Sequence, residues 1–227
     1  YTNGVVGVLG THGSTSGTIQ NPTATRIGIS NINLLNGVSF VLGTYNTNTP
    51  LTYVCNLGGT KTVGPTGNYA TLTDAMSVVS ANGLSNSLIL ELQSNYVSTS
   101  ESFPILIDPF NCMGSSNTLT IRPAANATAL TISGSESTSG GIIYFNKGDY
   151  VAIDGRPGGV GTTSQLQIIN THSDAPVINF SNEANYNSVR YCTIKGGSVT
   201  TTQGLIFFAA SSATGTNGNK YDTIRNN

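Results

Sequence analysis

Leu72, Ala75, Met76 and Val79 recur at i, i+3, i+4 and i+7 within YATLTDAMSVVSANG, residues 69–83, and predict one amphipathic helix of about three turns. Thr71 followed three residues later by Asp74 reads as a capping-box-like start, in which hydroxyl and carboxylate each accept an orphan backbone N–H. Gly83 is the natural stop. After the helix the pattern turns to short β-branched runs: SLILELQS at 87–94, TLTIRPA from Thr118, YVAIDGR from Tyr150, VRYCTIKGG from Val189 and YDTIRNN from Tyr221. Their isoleucines Ile121, Ile153, Ile194 and Ile224 lie 32, 41 and 30 apart, and Leu90 precedes the first by 31. Secondary runs fall between them (ALTISG, GIIYFN, LQIIN, PVINFSN, GLIFFAAS), with Ile143, Ile178 and Ile206 spaced 35 and 28.

Two to three short strands per ~30 residues, separated by polar turns, is the pattern of stacked coils. Each coil turns alternate residues inward, buries a few aliphatic side chains, and gains a core only from its neighbours. The predicted fold class is therefore all-β, a parallel β-helix over residues 68–227. An uncovered coil end is a row of unpaired strand groups. A helix ahead of the first coil would cover it, so Thr71, Leu72, Asp74, Met76 and Val79 are expected to form an N-terminal cap. Residues 1–57 read as a short β-rich segment, the end of a preceding β domain, with Asn36-Gly37 as a hairpin signal. The stretch 58–67, GGTKTVGPTG, reads as a linker. The chain starts at Tyr1 and stops at Asn227 inside what reads as another repeat, so an excerpt truncated at its C-terminal end is expected.

Charge narrows the chemistry. Only 8% of the 227 residues are charged and the net charge is −1, so solubility rests on hydroxyls and amides. Nine scattered basic residues make no field for nucleic acid or for an anionic membrane, and no apolar run approaches the ~20 residues of a transmembrane helix. Cys55, Cys112 and Cys192 are 57 and 80 apart, with no CxxC or His/Cys cluster for a structural metal. They allow at most one disulfide within the chain, and buried free thiols are the expectation.

The ordered run TVGPTGNYATLTDAM, SLILEL, SESFPILI, NTLTIRPA, TISG, GDYVAIDG and NSVRYCTIKGG resembles the right-handed parallel β-helix region, of the pectate-lyase-like superfamily, in large secreted surface proteins of Bacteroidota. The resemblance covers roughly residues 60–227. It implies export by the type IX route and a secreted or cell-surface location, with surface glycans or outer-membrane export and anchoring proteins as partners.

Polysaccharide lyases on this fold hold calcium with clustered carboxylates and use an Arg or Lys as base. The nearest approach is Asp149, Asp154 and Arg156 in KGDYVAIDGRPGG, with Arg122, Arg190 and Lys195 at comparable points of neighbouring coils. Asp154-Gly155 sits at a strand-to-turn junction, where a carboxylate commonly satisfies turn amides, and the structural reading is preferred. Calcium is expected only if the lyase alternative holds; otherwise no cofactor is. His12 and His172 have no GxSxG partner for a triad. The aromatics, Tyr150, Tyr186, Tyr221, Phe145, Phe180 and Phe208 among them, read as core stacks and turn packing rather than a sugar platform, unless tyrosines gather exposed on one face. Asp222-Thr223-Ile224 resembles the O-glycosylation site of Bacteroidota, which marks Thr223. The expectation is a non-catalytic structural or adhesive module. The alternatives are a carbohydrate-active enzyme, lyase or glycoside hydrolase, and a passenger held by an export or anchoring complex.

Overall fold

The computed structural model describes residues 55–137, 140–196, 204–209 and 218–227, all within one compact unit, Val54–Asn227. The β-rich segment expected over 1–57, with its Asn36-Gly37 hairpin and His12, lies outside the described residues but for its last three positions.

Strand β1 (Leu57–Val63) precedes helix α1 (Leu72–Asn82), and twelve strands follow among the described residues: β2 (Leu84–Leu92), β3 (Ile105–Ile107), β4 (Leu119–Pro123), β5 (Leu130–Gly134), β6 (Ile143–Asn146), β7 (Val151–Asp154), β8 (Leu166–Asn170), β9 (Ile178–Ser181), β10 (Ser188–Arg190), β11 (Cys192–Gly196), β12 (Ile206–Phe208) and β13 (Thr223–Arg225). They form a first sheet in the order β1-β2-β4-β7-β10-β13, a second in the order β11-β8-β5 and a third in the order β12-β9-β6-β3. Every strand pairing in these sheets is parallel. The chain visits them in rotation: β4, β5 and β6 make one circuit, β7, β8 and β9 the next, β10, β11 and β12 another.

Alternation along each strand supplies the core. Leu90, Ile121, Ile153, Val189 and Ile224 face one another across the first sheet. Leu130, Leu166 and Cys192 line the second, with Ile132, Ile168 and Ile194 two residues on. Ile143, Ile178 and Ile206 align in the third. Ile194 thus belongs to the second sheet, and the residue in register with Ile153 is Val189, which removes the 41-residue gap in the expected period. Beside the third-sheet isoleucines, Phe145, Phe180 and Phe208 stack with centroids 4.3 and 4.7 Å apart.

Two expectations at the start of this unit need correction. Residues 57–63, placed mostly in a linker, form β1, paired with β2 from Leu57 to Val63. Gly58 there acts as spacing: a Cβ on it would come within 2.8 Å of Asn86 Cβ, so the bare backbone is what lets the two strands approach. Cys55 and Cys112 are joined in a disulfide, and Cys192 is free and buried, so the expectation of free thiols holds for Cys192 alone. The pairing depends on the fold, which carries the chain back from Cys55 to Cys112 across one circuit.

Helix α1 starts at Leu72, later than Tyr69, because Tyr69 still bridges to Val63. Its stripe of Leu72, Ala75, Met76 and Val79 is buried against the core. The Thr71 hydroxyl accepts the Asp74 N–H at 2.9 Å. The Asp74 carboxylate is exposed and accepts no backbone N–H among the described residues. That part of the expected cap is filled from a distance by Glu101, whose carboxylate accepts the N–H groups of Leu72 and Thr73 at 2.6 and 2.8 Å, the Thr73 hydroxyl at 2.7 Å and the buried Tyr96 hydroxyl at 2.8 Å. A carboxylate at a helix N-terminus also meets the positive end of the helix dipole. At the other end Gly83 (φ 63) donates its N–H to Val79 O, and a Cβ there would strike Cys55 Sγ at 2.6 Å. Only glycine fits that turn and that approach.

Candidate functional site

The outward positions at the end of the first-sheet strands carry a row of five charged residues, Glu91, Arg122, Asp154, Arg190 and Arg225. Parallel register sets Glu91 beside Arg122, Asp154 beside Arg190 and Arg190 beside Arg225. Ile121 faces Ile153, so Arg122, one residue on, flanks Asp154. With adjacent strands ~4.8 Å apart, these side chains fall within pairing distance. Arg122 donates from Nε and Nη2 to Glu91 Oε1 at 3.0 and 2.6 Å.

Asp154 is the most enclosed member, 1% exposed. Arg156 clamps it through two parallel bonds, Nε to Oδ1 at 2.9 Å and Nη2 to Oδ2 at 2.7 Å, while its backbone N–H donates to Oδ1 at 3.2 Å. Arg190 adds Nε to Oδ2 at 3.1 Å. The Arg156 guanidinium also donates to Gly161 O and lies 4.5 Å over the Tyr191 ring, a cation-π contact that holds the fork in place. Burial alone would raise the Asp154 pKa, but the bonds from Arg156 and the charges of Arg190 and Arg156 outweigh it and hold the carboxyl below its ordinary range. Asp154 is ionised and saturated, with no lone pair directed at solvent for a cation or a substrate proton.

Asp149 is not part of this cluster. It lies in the turn before β7, and its Oδ1 accepts the Asn185 N–H at 2.6 Å. Burial pushes its pKa up, against the Asn185 bonds and the charge of Lys147, which pull it down. Asp149 lies two residues before β7 and Asp154 closes it, and the two carboxylates share no hydrogen-bond partner among the described residues. The structure brings Asp154 and Arg156 together, adds Arg190 and leaves Asp149 apart. Lys195 is on the second sheet, where its Nζ donates to Gln167 Oε1 at 2.9 Å. Among the described residues no three His, Cys, Asp or Glu side chains are grouped so as to hold a metal ion. His172 accepts the Asp174 N–H on Nδ1. The Cys192 thiol is pushed up to about 12 by burial and by the nearby Asp154 charge, which leaves it protonated and unreactive.

The corner from the third sheet into the first is a separate feature. Tyr150, Tyr186 and Tyr221 each immediately precede or lie just before a first-sheet strand, and their rings stack at 4.9 and 4.7 Å with interplanar angles of 2° and 11°. All three backbones are left-handed, φ 57, 58 and 60. Tyr186 is 48% and Tyr221 71% exposed. Amides and carboxylates hold the corner from one circuit to the next: Asn187 Oδ1 accepts the Val151 N–H at 3.0 Å, and Asp222 Oδ1 accepts the Asn187 N–H at 2.8 Å. Burial, reinforced by the charge of Asp149 and opposed by the Asn187 bonds, pushes the Asp222 carboxyl up to about 6. Thr223 beside it is exposed on β13.

Sequence reasoning ranked the aromatics together as packing. The signal that separates them is the 36- and 35-residue spacing of Tyr150, Tyr186 and Tyr221, each one or two residues ahead of a strand. Comparison of the chain with protein-family models, with curated proteins and with solved structures gives no match.

Proposed function

We propose that this unit is the leading part of a right-handed parallel β-helix, capped by α1, and that it works as a non-catalytic structural or adhesive module of a large secreted or cell-surface bacterial protein exported by the type IX system. The observation that carries the reading is the state of Asp154. Asp154, the most enclosed of the carboxylates beside basic residues on the outer face of the first sheet, is bound by two arginines and shut off from solvent, so it serves the stack and is withdrawn from chemistry. The rotation of the chain through three parallel sheets in repeating register supports the β-helix. The Cys55–Cys112 disulfide supports export, because such bonds form and persist in oxidising compartments. Exposure of Thr223 is compatible with O-glycosylation there.

The test is a lyase assay on uronate polymers with and without calcium. The protein is expected to produce no rise in ultraviolet absorbance. A calcium-dependent rise that disappears in Asp154→Ala overturns the reading and establishes the enzyme.

A further inference from the structure

The geometry points to the tyrosine corner as a binding edge for an extended, uncharged polysaccharide lying along the column Ser87, Thr118, Tyr150, Tyr186 and Tyr221. This rests on the adhesive reading above and names its ligand class. In the first sheet Leu88 faces Leu119, Leu119 faces Val151, and Ala152 faces Ser188, which faces Thr223. Residues 87, 118, 150, 186 and 221 therefore occupy equivalent places on five consecutive strands, and each carries a hydroxyl. Ser87 Oγ and Thr118 Oγ1 lie 3.1 Å apart, and the three tyrosines continue the row.

The backbone at these tyrosines argues that the rings are there for more than the turn. A left-handed φ disfavours a residue with a bulky side chain, whereas Asn adopts it readily, as Asn182 and Asn226 do here. A corner needing only that conformation is met by Asn or Gly; three tyrosines keep a strained backbone and gain a stack. Because the rings cover one another's faces, the exposed parts of Tyr186 are its edge and hydroxyl, repeated at each strand.

Those groups select the ligand. Nucleobases need open ring faces, and the stack covers both faces of Tyr186 and one face each of Tyr150 and Tyr221. Strand addition needs unpaired backbone, yet at this corner the Tyr150 N–H donates to Asn185 O, the Tyr186 N–H to Lys220 O and the Leu119 N–H to Tyr150 O. The charged side chains alongside are the bases Lys147 and Lys220 and the acids Asp149, Glu183 and Asp222, none in an ion pair among the described residues. A field with one more acid than base does not favour a uronate polymer over a neutral one. A sugar in an extended β-linked chain advances by about one strand spacing, so hydroxyl can meet hydroxyl at each step. A shallow depression of about 250 Å³ beside the stack, lined by Glu183, Asn185, Tyr186, Gly218, Lys220 and Tyr221, gives a side group room.

Affinity electrophoresis of the full chain through gels containing soluble mixed-linkage β-glucan, β-mannan or polygalacturonate tests this, with a melting curve on each variant. At least one of the two neutral polymers should retard the parent, and polygalacturonate should not. Tyr186→Phe with Tyr221→Phe keeps the stack and removes two hydroxyls, and should bind about tenfold more weakly. Tyr150→Asn with Tyr186→Asn and Tyr221→Asn suits the left-handed backbone, and should melt near the parent while losing retardation. A parent that neither neutral polymer retards, or a folded Asn triple variant that binds like the parent, overturns the inference. Retardation by polygalacturonate alone overturns it too and leaves the adhesive reading standing, whereas shortening of a polymer during incubation overturns the adhesive reading itself.

Discussion

Asp154→Asn separates a structural carboxylate from a catalytic one. The substitution keeps the shape of the side chain and removes its charge, so the Arg156 fork and the Arg190 Nε, 17% and 28% exposed, lose the carboxylate between them. Removing one member of a buried, hydrogen-bonded ion pair destabilises by about 3–5 kcal/mol. The arginines retain some contact with water, which places this case at about 3 kcal/mol, the lower end. For a domain of this size that corresponds to a fall of roughly 6–12 °C in Tm.

Acid titration gives a second handle with a definite sign. The folded pKa of Asp154 lies below its unfolded value, so its contribution is fully present above about pH 4 and is lost as pH falls through the folded pKa. Denaturant melts of the parent and of Asp154→Asn should therefore differ at neutral pH and converge in acid. A variant as stable as the parent at pH 7, or a gap independent of pH down to the acid limit, would refute the assignment of Asp154 to the stack.

Asp222 should behave with the opposite sign. Its folded pKa of about 6 exceeds the unfolded value, so the folded state holds its proton more tightly and stability declines as pH rises from about 4 through 6; Asp222→Asn should flatten that slope in pH-dependent melts, and an unchanged slope would count against it. Met76→Asp puts a carboxylate into the 5%-exposed position facing the core and should lower stability by about 4 kcal/mol or more, with aggregation from β2 onward, while Met76→Leu should stay within about 1.5 kcal/mol; circular dichroism and light scattering report both, and an Asp variant as stable as the parent would remove the cap. Thiol titration in denaturant should find one thiol per chain without reductant and three with it. The Cys112→Ser variant, which opens a loop with 57 residues of separation, should lose about 4 kcal/mol by the chain-entropy relation.

Helix α1 was legible because its stripe and its Thr71 and Gly83 ends are local, set by neighbours three and four residues away. The Asp154 pair was partly legible for the same reason, since Arg156 is two residues on. Arg190 was legible only as a basic residue at a comparable point of a neighbouring coil, and Glu101 was not legible: the first reaches its partner from 36 residues away and the second from 29, and no local pattern marks either bond. Gly58 was misread because a glycine that punctuates a linker and one that admits a neighbouring strand look alike until the strand is in place.

By itself the chain determined which residues turn inward, since alternation in strands and the 3.6-residue period of the helix follow from local backbone geometry. It also determined that many short, weakly charged strands must find their core in one another. Tertiary structure alone decided who faces whom. The turns between strands differ in length from circuit to circuit, so the steps from Leu90 to Ile121, Ile153, Val189 and Ile224 are 31, 32, 36 and 35 residues. A shift of one residue would move every side chain to the other face. That register aligns the three tyrosines, joins Cys55 to Cys112 and encloses Asp154 between two arginines.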